Sequence, residues 1–357
     1  MIPGKPEEAP LKAEESPEPS TSGCFSRLTH LLSLKLPEGK ENAPPENPRS
    51  SNHYGPTLVI HGGAGLIKRT SMTPELEKEY RAALEQALRT GWKALMAGTS
   101  MDAVVAAVEV MEDSPLFNAG KGSVFTITGK NELEASVMDG SNGTAGACTL
   151  LHHVKNPIRL ALAIQEDSAA RHLFMGGAAA EEYASSKGLT LVDPSYFFTE
   201  RRWKQHLENP DPTLHDKSNL PKGTVGAVAV DRFGNLATAT STGGFNNKMD
   251  GRIGDTPIIG AGTWAENGVC ACSGTGNGEI FIRYSVCHDI AARIKYLGES
   301  VQEASAKVVE HMGSVGGSGG VIVVSPDGEV AFPFNSEGMF RGYIRSDETP
   351  HISIYRD

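Results

Sequence analysis

Cysteine, aromatic side chains, long apolar runs and positive charge are all scarce in this chain, and each shortage closes off a class of function. The five cysteines, Cys24, Cys148, Cys270, Cys272 and Cys287, are odd in number and show no framework spacing. That argues for a reducing compartment and against a disulfide scaffold. There is no Cys-x-x-Cys and no His-x-x-x-His, so the spacing for a zinc site is missing. Cys270-Ala271-Cys272 would set two sulfurs on one face of a strand, where buried small residues are the commoner outcome than a redox or metal pair. The formal net charge is −10, which argues against a phosphate-binding surface and so against a nucleic-acid partner. No stretch is long and apolar enough to span a bilayer. The N-terminus has no basic region followed by an apolar run, so a secretory leader is not expected and the default location is cytoplasmic.

What the chain does contain is organised in two unequal parts. Residues 1–54 are rich in Pro, Glu and Ser and poor in large apolar residues, the composition of a disordered tail, with one short amphipathic piece at 25–36. The globular part begins at Gly55-Pro56. Thr57-Leu58-Val59-Ile60 reads as a buried strand running into His61-Gly62-Gly63-Ala64-Gly65. Thr73 and Pro74 open a helix with an apolar stripe at Leu76, Tyr80, Leu84, Leu88 and Leu95. The pattern predicts further helices over 102–111, 159–165, 173–187, 278–296 and 301–311. Strands are expected over 124–127, 134–138, 146–151, 225–230, 236–240, 320–324 and 330–333. The stretch 193–221 is polar, carries four prolines and shows no clean period, so it reads as a long loop.

The chemistry-bearing residues crowd the second half: Gly223-Thr224-Val225-Gly226, Thr240-Ser241-Thr242-Gly243-Gly244, and Ser273-Gly274-Thr275-Gly276-Asn277-Gly278-Glu279. None ends in the Lys-Ser or Lys-Thr of a phosphate loop. Taken singly, each is most often a turn. Arg252 and Asp255 taken alone would most often be a surface ion pair, and His61 a strand-end histidine satisfied locally.

In order, however, GTVGAVAVDRFGNLATATSTGG, NKMDGRIGDTP and SGTGNGE resemble the plant-type asparaginases, also called isoaspartyl peptidases, of the N-terminal-nucleophile (Ntn) hydrolase group. The resemblance extends to HGGAG (61–65), FNAGKGSVFT (117–126), ELEASVMDG (132–140) and PFNSEGMFRG (333–342), leaving out only the tail. It implies an α/β (α+β) fold, a four-layer αββα sandwich of the Ntn-hydrolase type. It also implies cleavage between Gly223 and Thr224, giving an α subunit of residues 55–223 and a β subunit of 224–357 that stay associated. Two such heterodimers would pair.

Chemically, an internal Thr hydroxyl attacks the preceding carbonyl, the ester hydrolyses, and the freed α-amine (ordinary pKa about 8) becomes the base for its own hydroxyl. By resemblance, Thr242 supports the nucleophile, and Asn118 contacts it and takes part in maturation. Arg252 pairs with the substrate α-carboxylate and Asp255 with its α-ammonium. Thr275 and Gly276 supply oxyanion donors, Gly278 belongs to the substrate site, and Gly62 and Gly63 form a backbone wall at the cleavage point. Asn277 stands where the family varies and often has His, Asp or Glu, a position expected to face the substrate pocket or a monovalent cation.

No organic cofactor is implied. A structural sodium or potassium ion would sit on the backbone carbonyls of Met111, Glu112, Ser114, Phe117, Ala119 and Lys121. The implied substrates are β-aspartyl dipeptides and L-asparagine. A glycosylasparaginase-like hydrolase is the alternative enzyme, disfavoured because Lys222-Gly223 stands where that group has Asp before its Thr. An unprocessed, inactive relative acting as a binding protein is the alternative from another class.

Overall fold

The computed structural model describes residues 54–167, 169, 171–208 and 223–356. The tail, its amphipathic piece at 25–36, Cys24 and most of the stretch leading to the cleavage point lie outside the described residues.

Eight strands form the larger sheet, in the order β12 (His351–Tyr355), β11 (Gly338–Ile344), β1 (Thr57–Gly65), β5 (Val225–Val230), β6 (Leu236–Thr242), β2 (Leu133–Asp139), β3 (Ala145–Leu151) and β4 (Phe174–Gly176). Four form the smaller: β10 (Val330–Ala331), β9 (Gly319–Val324), β8 (Cys270–Gly276) and β7 (Thr263–Glu266). Around them lie α1 (Pro74–Ala97), α2 (Ser100–Glu112), α3 (Pro157–Glu166), α4 (Gly177–Ser186), α5 (Glu200–Glu208), α6 (Gly278–Tyr284), α7 (Val286–Leu297) and α8 (Val301–Ser314). The molecule is thus a mixed α/β protein with two sheets and helices.

Three apolar clusters hold these elements. In the first, Leu58, Ile60, Ala227 and Ala229 of the larger sheet meet Leu84, Leu88, Val104 and Val108 of α1 and α2. In the second, Cys270, Cys272, Val321 and Val323 meet Ile290, Val308 and Met312 of α7 and α8. The third joins Val59, Val228 and Val230 to Ala271, Ile322 and Val324, so it lies between the sheets. Alternate residues of one strand therefore enter different clusters, which is why Leu58-Val59-Ile60 and Ala227-Val228-Ala229-Val230 are apolar throughout. The cysteines Cys148, Cys270, Cys272 and Cys287 are buried free thiols, with Cys272 Sγ 3.2 Å from Cys287 Sγ.

Local signals set several boundaries. Thr73 Oγ1 accepts the Leu76 N–H at 3.2 Å to start α1, and capping boxes at Thr99/Asp102 and Ser300/Glu303 start α2 and α8.

Four expectations need correcting. Residues 124–127 are not a strand, and only Thr126 makes a bridge there, to Lys248. The helix expected over 173–187 begins with the short strand β4. The one expected over 278–296 breaks at Ser285, whose φ of 49° ends α6 before α7 begins. The polar stretch 193–221 contains helix α5. That helix has no apolar stripe to announce it because it buries Arg202, which donates to the carbonyls of Gly122 (2.7 Å) and Leu116 (3.4 Å).

Candidate active site

Two hairpin partners converge on Thr224. β5 and β6 are antiparallel, with Val225 opposite Ser241 and Val230 opposite Leu236. Asp231 shapes the turn between them, its Oδ1 accepting the Phe233 and Asn235 N–H groups at 2.8 and 3.0 Å. Carried one residue further, this register sets Thr224 opposite Thr242. The Thr224 hydroxyl donates to Thr242 Oγ1 at 3.2 Å. Thr242 in turn donates to the Gly223 carbonyl oxygen at 3.2 Å, while accepting the Gly244 N–H at 3.0 Å.

A second donor reaches the same carbonyl. Asn118 Nδ2 lies 2.6 Å from the Gly223 oxygen and 2.6 Å from the Gly244 oxygen, and its Oδ1 accepts the Val124 N–H at 3.0 Å. Both amide protons and the carbonyl are therefore used, which fixes the side chain. The bond between Gly223 and Thr224 lies against bare backbone on the remaining side. A Cβ on Gly63 (φ 109°) would come within 2.7 Å of Gly223 Cα, so this glycine is required for the approach.

Across the cleft, Gly223, Thr224, Thr242, Gly244, Phe245, Arg252 and Gly276 line one small cavity. Thr275 is fully buried, its Oγ1 accepting the Ala64 N–H at 3.2 Å, which ties β8 to β1. Arg252 stacks on Phe245 (4.5 Å to the ring centroid), and its Nε donates to Glu279 at 3.0 Å. A Cβ on Gly278 would lie 2.6 Å from Arg252 Nη2 and 2.8 Å from Asp255 Oδ1, so only glycine leaves these two groups room side by side.

Asp255 is buried, and its Oδ2 has no hydrogen-bond partner among the described residues. Burial raises its pKa to about 7, with Glu134 and Glu279 pushing the same way and Arg252 opposing. Such a carboxylate is short of a cation. If it receives an ammonium, binding requires its ionised form. KM should then rise about tenfold for each pH unit below 7. In the empty protein the sign is the reverse: a raised carboxyl contributes stability at low pH that is lost as pH climbs through 7. Substrate-saturation curves between pH 5 and 8 check this, and Asp255→Asn should flatten the dependence.

His61 is fully buried, with Nε2 2.9 Å from Ser273 Oγ, and burial lowers its pKa to about 3, so it stays neutral. Asn277 stands at the N-cap position of α6 without a side-chain capping bond, its buried Oδ1 having no hydrogen-bond partner among the described residues, and it does not line the cavity beside Thr224. The residues 112–122 fold tightly, so that a Cβ on Gly120 would collide with the Glu112 carbonyl oxygen and one on Gly122 with those of Phe117 and Pro115.

Some residues at the site were not singled out from sequence. Phe245 and Glu279 hold the Arg252 guanidinium, and Glu132, Glu134 and Lys248 are buried around the loop that carries it. An acid in an otherwise apolar strand was a usable signal, since a buried carboxylate must find donors.

The family model for asparaginase matches residues 54–354. The isoaspartyl peptidase of Salmonella typhimurium is 46% identical over 310 residues, covering 84% of this chain and 98% of the relative. The plant-type L-asparaginase of Pyrobaculum calidifontis is 40% identical over 300 residues, covering 82% and 98%. The isoaspartyl peptidase/L-asparaginase of Xenopus laevis is 39% identical over 305 residues, covering 84% and 95%.

Proposed function

The chain belongs to the asparaginase family, and from that premise we propose that it is an isoaspartyl peptidase and L-asparaginase that activates itself by cleavage before Thr224. The observation that carries this is the convergence of the Asn118 amide and the Thr242 hydroxyl on the Gly223 carbonyl oxygen, with the Thr224 hydroxyl beside it. These two donors would stabilise the oxyanion formed when Thr224 Oγ1 attacks the Gly223 carbonyl carbon. The Oγ1–C bond forms, the peptide C–N bond breaks, and the hydroxyl proton passes to the departing amine. Water then hydrolyses the ester, leaving Gly223 as a carboxylate and Thr224 as a new N-terminus.

In the mature enzyme the Thr224 amine accepts the hydroxyl proton, directly or through water. Arg252 would bind the substrate α-carboxylate and Asp255 the α-ammonium, an assignment supported by the unpartnered oxygen of Asp255. Attack by Thr224 on the β-carbonyl expels ammonia from asparagine or an amino acid from a β-aspartyl dipeptide. Thr275 and Gly276 would supply the oxyanion donors, and Gly278 keeps the head-group site open. Hydrolysis of the β-aspartyl ester releases L-aspartate.

The same reading makes the fold a four-layer αββα sandwich of the Ntn-hydrolase type, supported by one apolar cluster between the sheets and one outside each. It makes 55–223 and 224–357 the α and β subunits, pairs two heterodimers, and puts the enzyme in the cytoplasm, in keeping with four buried free thiols. Among the described residues no helix is long and apolar enough to cross a membrane. The reaction as written calls for no organic cofactor. A sodium or potassium ion would be held by carbonyls of Met111, Glu112, Ser114, Phe117, Ala119 and Lys121. The crowding of carbonyl oxygens against Gly120 and Gly122 fits such an oxygen-ligated cation.

Mass spectrometry of the purified protein should find a fragment beginning at Thr224. That fraction should hydrolyse a β-aspartyl dipeptide and asparagine but not a glycosylated asparagine. A chain that stays whole over days of incubation, or that prefers the glycosylated substrate, would refute the assignment.

A further inference from the structure

Arg252 and Asp255 sit on a loop, and a loop needs something rigid to set it. That support comes from the start of β2, where Glu132 and Glu134 stand two residues apart and are both buried, at 6% and 1% exposure. At that spacing on an extended chain their side chains share a face. Glu132 accepts the Gly251 N–H at 3.2 and 3.0 Å with its two oxygens, and Glu134 accepts the Gly254 N–H at 3.0 and 3.2 Å. Two carboxylates therefore grip backbone amides on either side of Arg252. Such charge-assisted bonds are strong where water is excluded.

Glu134 does more than its neighbour. A Cβ on Gly254 would lie 2.6 Å from Glu134 Oε1 and 2.8 Å from Arg252 Nη1, so carboxylate and guanidinium flank the same glycine. Its other oxygen accepts the Thr149 hydroxyl at 3.3 Å, which anchors it to β3. Lys248, itself buried, supplies a nearby positive charge, donating to the Glu132 carbonyl at 2.8 Å. The charged and titratable groups acting on Asp255 are thus Arg252 from its own loop, Glu134 from β2, Glu279 from α6 and the Cys287 thiol at the start of α7.

We propose that Glu134 is a positioning residue for substrate recognition: by holding the Gly254 amide it sets the spacing of Arg252 and Asp255, and its carboxylate offsets the Arg252 charge that acts on Asp255. This rests on the reading of Arg252 and Asp255 as the head-group grip. In Glu134→Gln one amide oxygen can still accept from Gly254, so the loop stays tied while the charge is lost. Glu134→Asp keeps the charge but shortens the reach.

Self-cleavage uses neither Arg252 nor Asp255 and should yield the same two fragments in both variants. With the mature proteins, Glu134→Gln should move the acid limb of kcat/KM to lower pH, because a like charge beside Asp255 has gone. Glu134→Asp should leave that limb in place and raise KM about tenfold, with a smaller change in kcat. The proposal is overturned by an unmoved limb in Glu134→Gln, or by losses that fall on kcat or melting temperature while KM holds. Wild-type enzyme inactive on both substrates would instead overturn the functional reading, so the two failures are separable.

Discussion

Replacing Thr224 with alanine is expected to leave a folded, full-length chain that neither cleaves itself nor releases ammonia from asparagine. The substitution removes a hydroxyl and a methyl group from a residue that is 8% exposed at the end of a central strand. A stability loss of about 1 kcal/mol is ordinary for such a change and should not unfold the domain. Thr242 loses the proton offered by Thr224 but keeps the Gly244 N–H, so no buried acceptor is stranded. The chemical loss is of another order. Without Oγ1 there is no atom to attack the Gly223 carbonyl, no ester, and no new amine. Activity should fall about 10^4-fold or more, the scale on which removal of a covalent nucleophile is felt. Thr224→Ser is the matching control, since it keeps the hydroxyl. It should still give two fragments, more slowly, because a primary hydroxyl lacks the β-branch that restricts χ1. A denaturing gel followed over days, together with ammonia release, reads both variants. Two fragments from Thr224→Ala would remove the mechanism altogether.

The sequence exposes this part of the molecule well because the hairpin that presents Thr224 is written in local signals. Continuous apolar and small residues, the Asp231 turn and the small residues around Thr242 all lie within one short segment. Elements whose partners are distant in sequence were harder to read. α5 turns Arg202 toward loop carbonyls rather than an apolar stripe toward a core, and the break at Ser285 is marked by neither Gly nor Pro. β11, which pairs with β1, and β12, which pairs with β11, are not among the expected strands, although part of β11 lies within the PFNSEGMFRG block. The site divides the same way. Thr224, Thr242, Arg252 and Asp255 announce themselves through motif order. Glu132 and Glu134 lie in the ELEASVMDG segment, yet their task becomes apparent only once Gly251 and Gly254 are seen beside them.

Asn118 connects these two levels, and its replacement should have the second largest effect. Its amide donates to the scissile carbonyl at 2.6 Å, leaving Thr242 at 3.2 Å as the other donor. Loss of one of two oxyanion donors costs about 10^2- to 10^3-fold in rate, so Asn118→Ala should cleave itself that much more slowly. Alanine also strands the Gly244 carbonyl and the Val124 N–H, and a purely structural role would predict slowing as well. Asn118→Asp tests what the N–H contributes beyond the bond to Val124. It is nearly isosteric and keeps an oxygen to accept from Val124, so it restores that half of the scaffold while the Gly244 carbonyl still lacks its donor. It offers no N–H, however, and sets a negative charge where an oxyanion must develop. If Asn118 acts on the carbonyl, cleavage should therefore rank wild type above Ala and Ala above Asp. Time courses of the fragment beginning at Thr224 give that order directly. An aspartate variant that matures faster than the alanine one would reduce Asn118 to a strut.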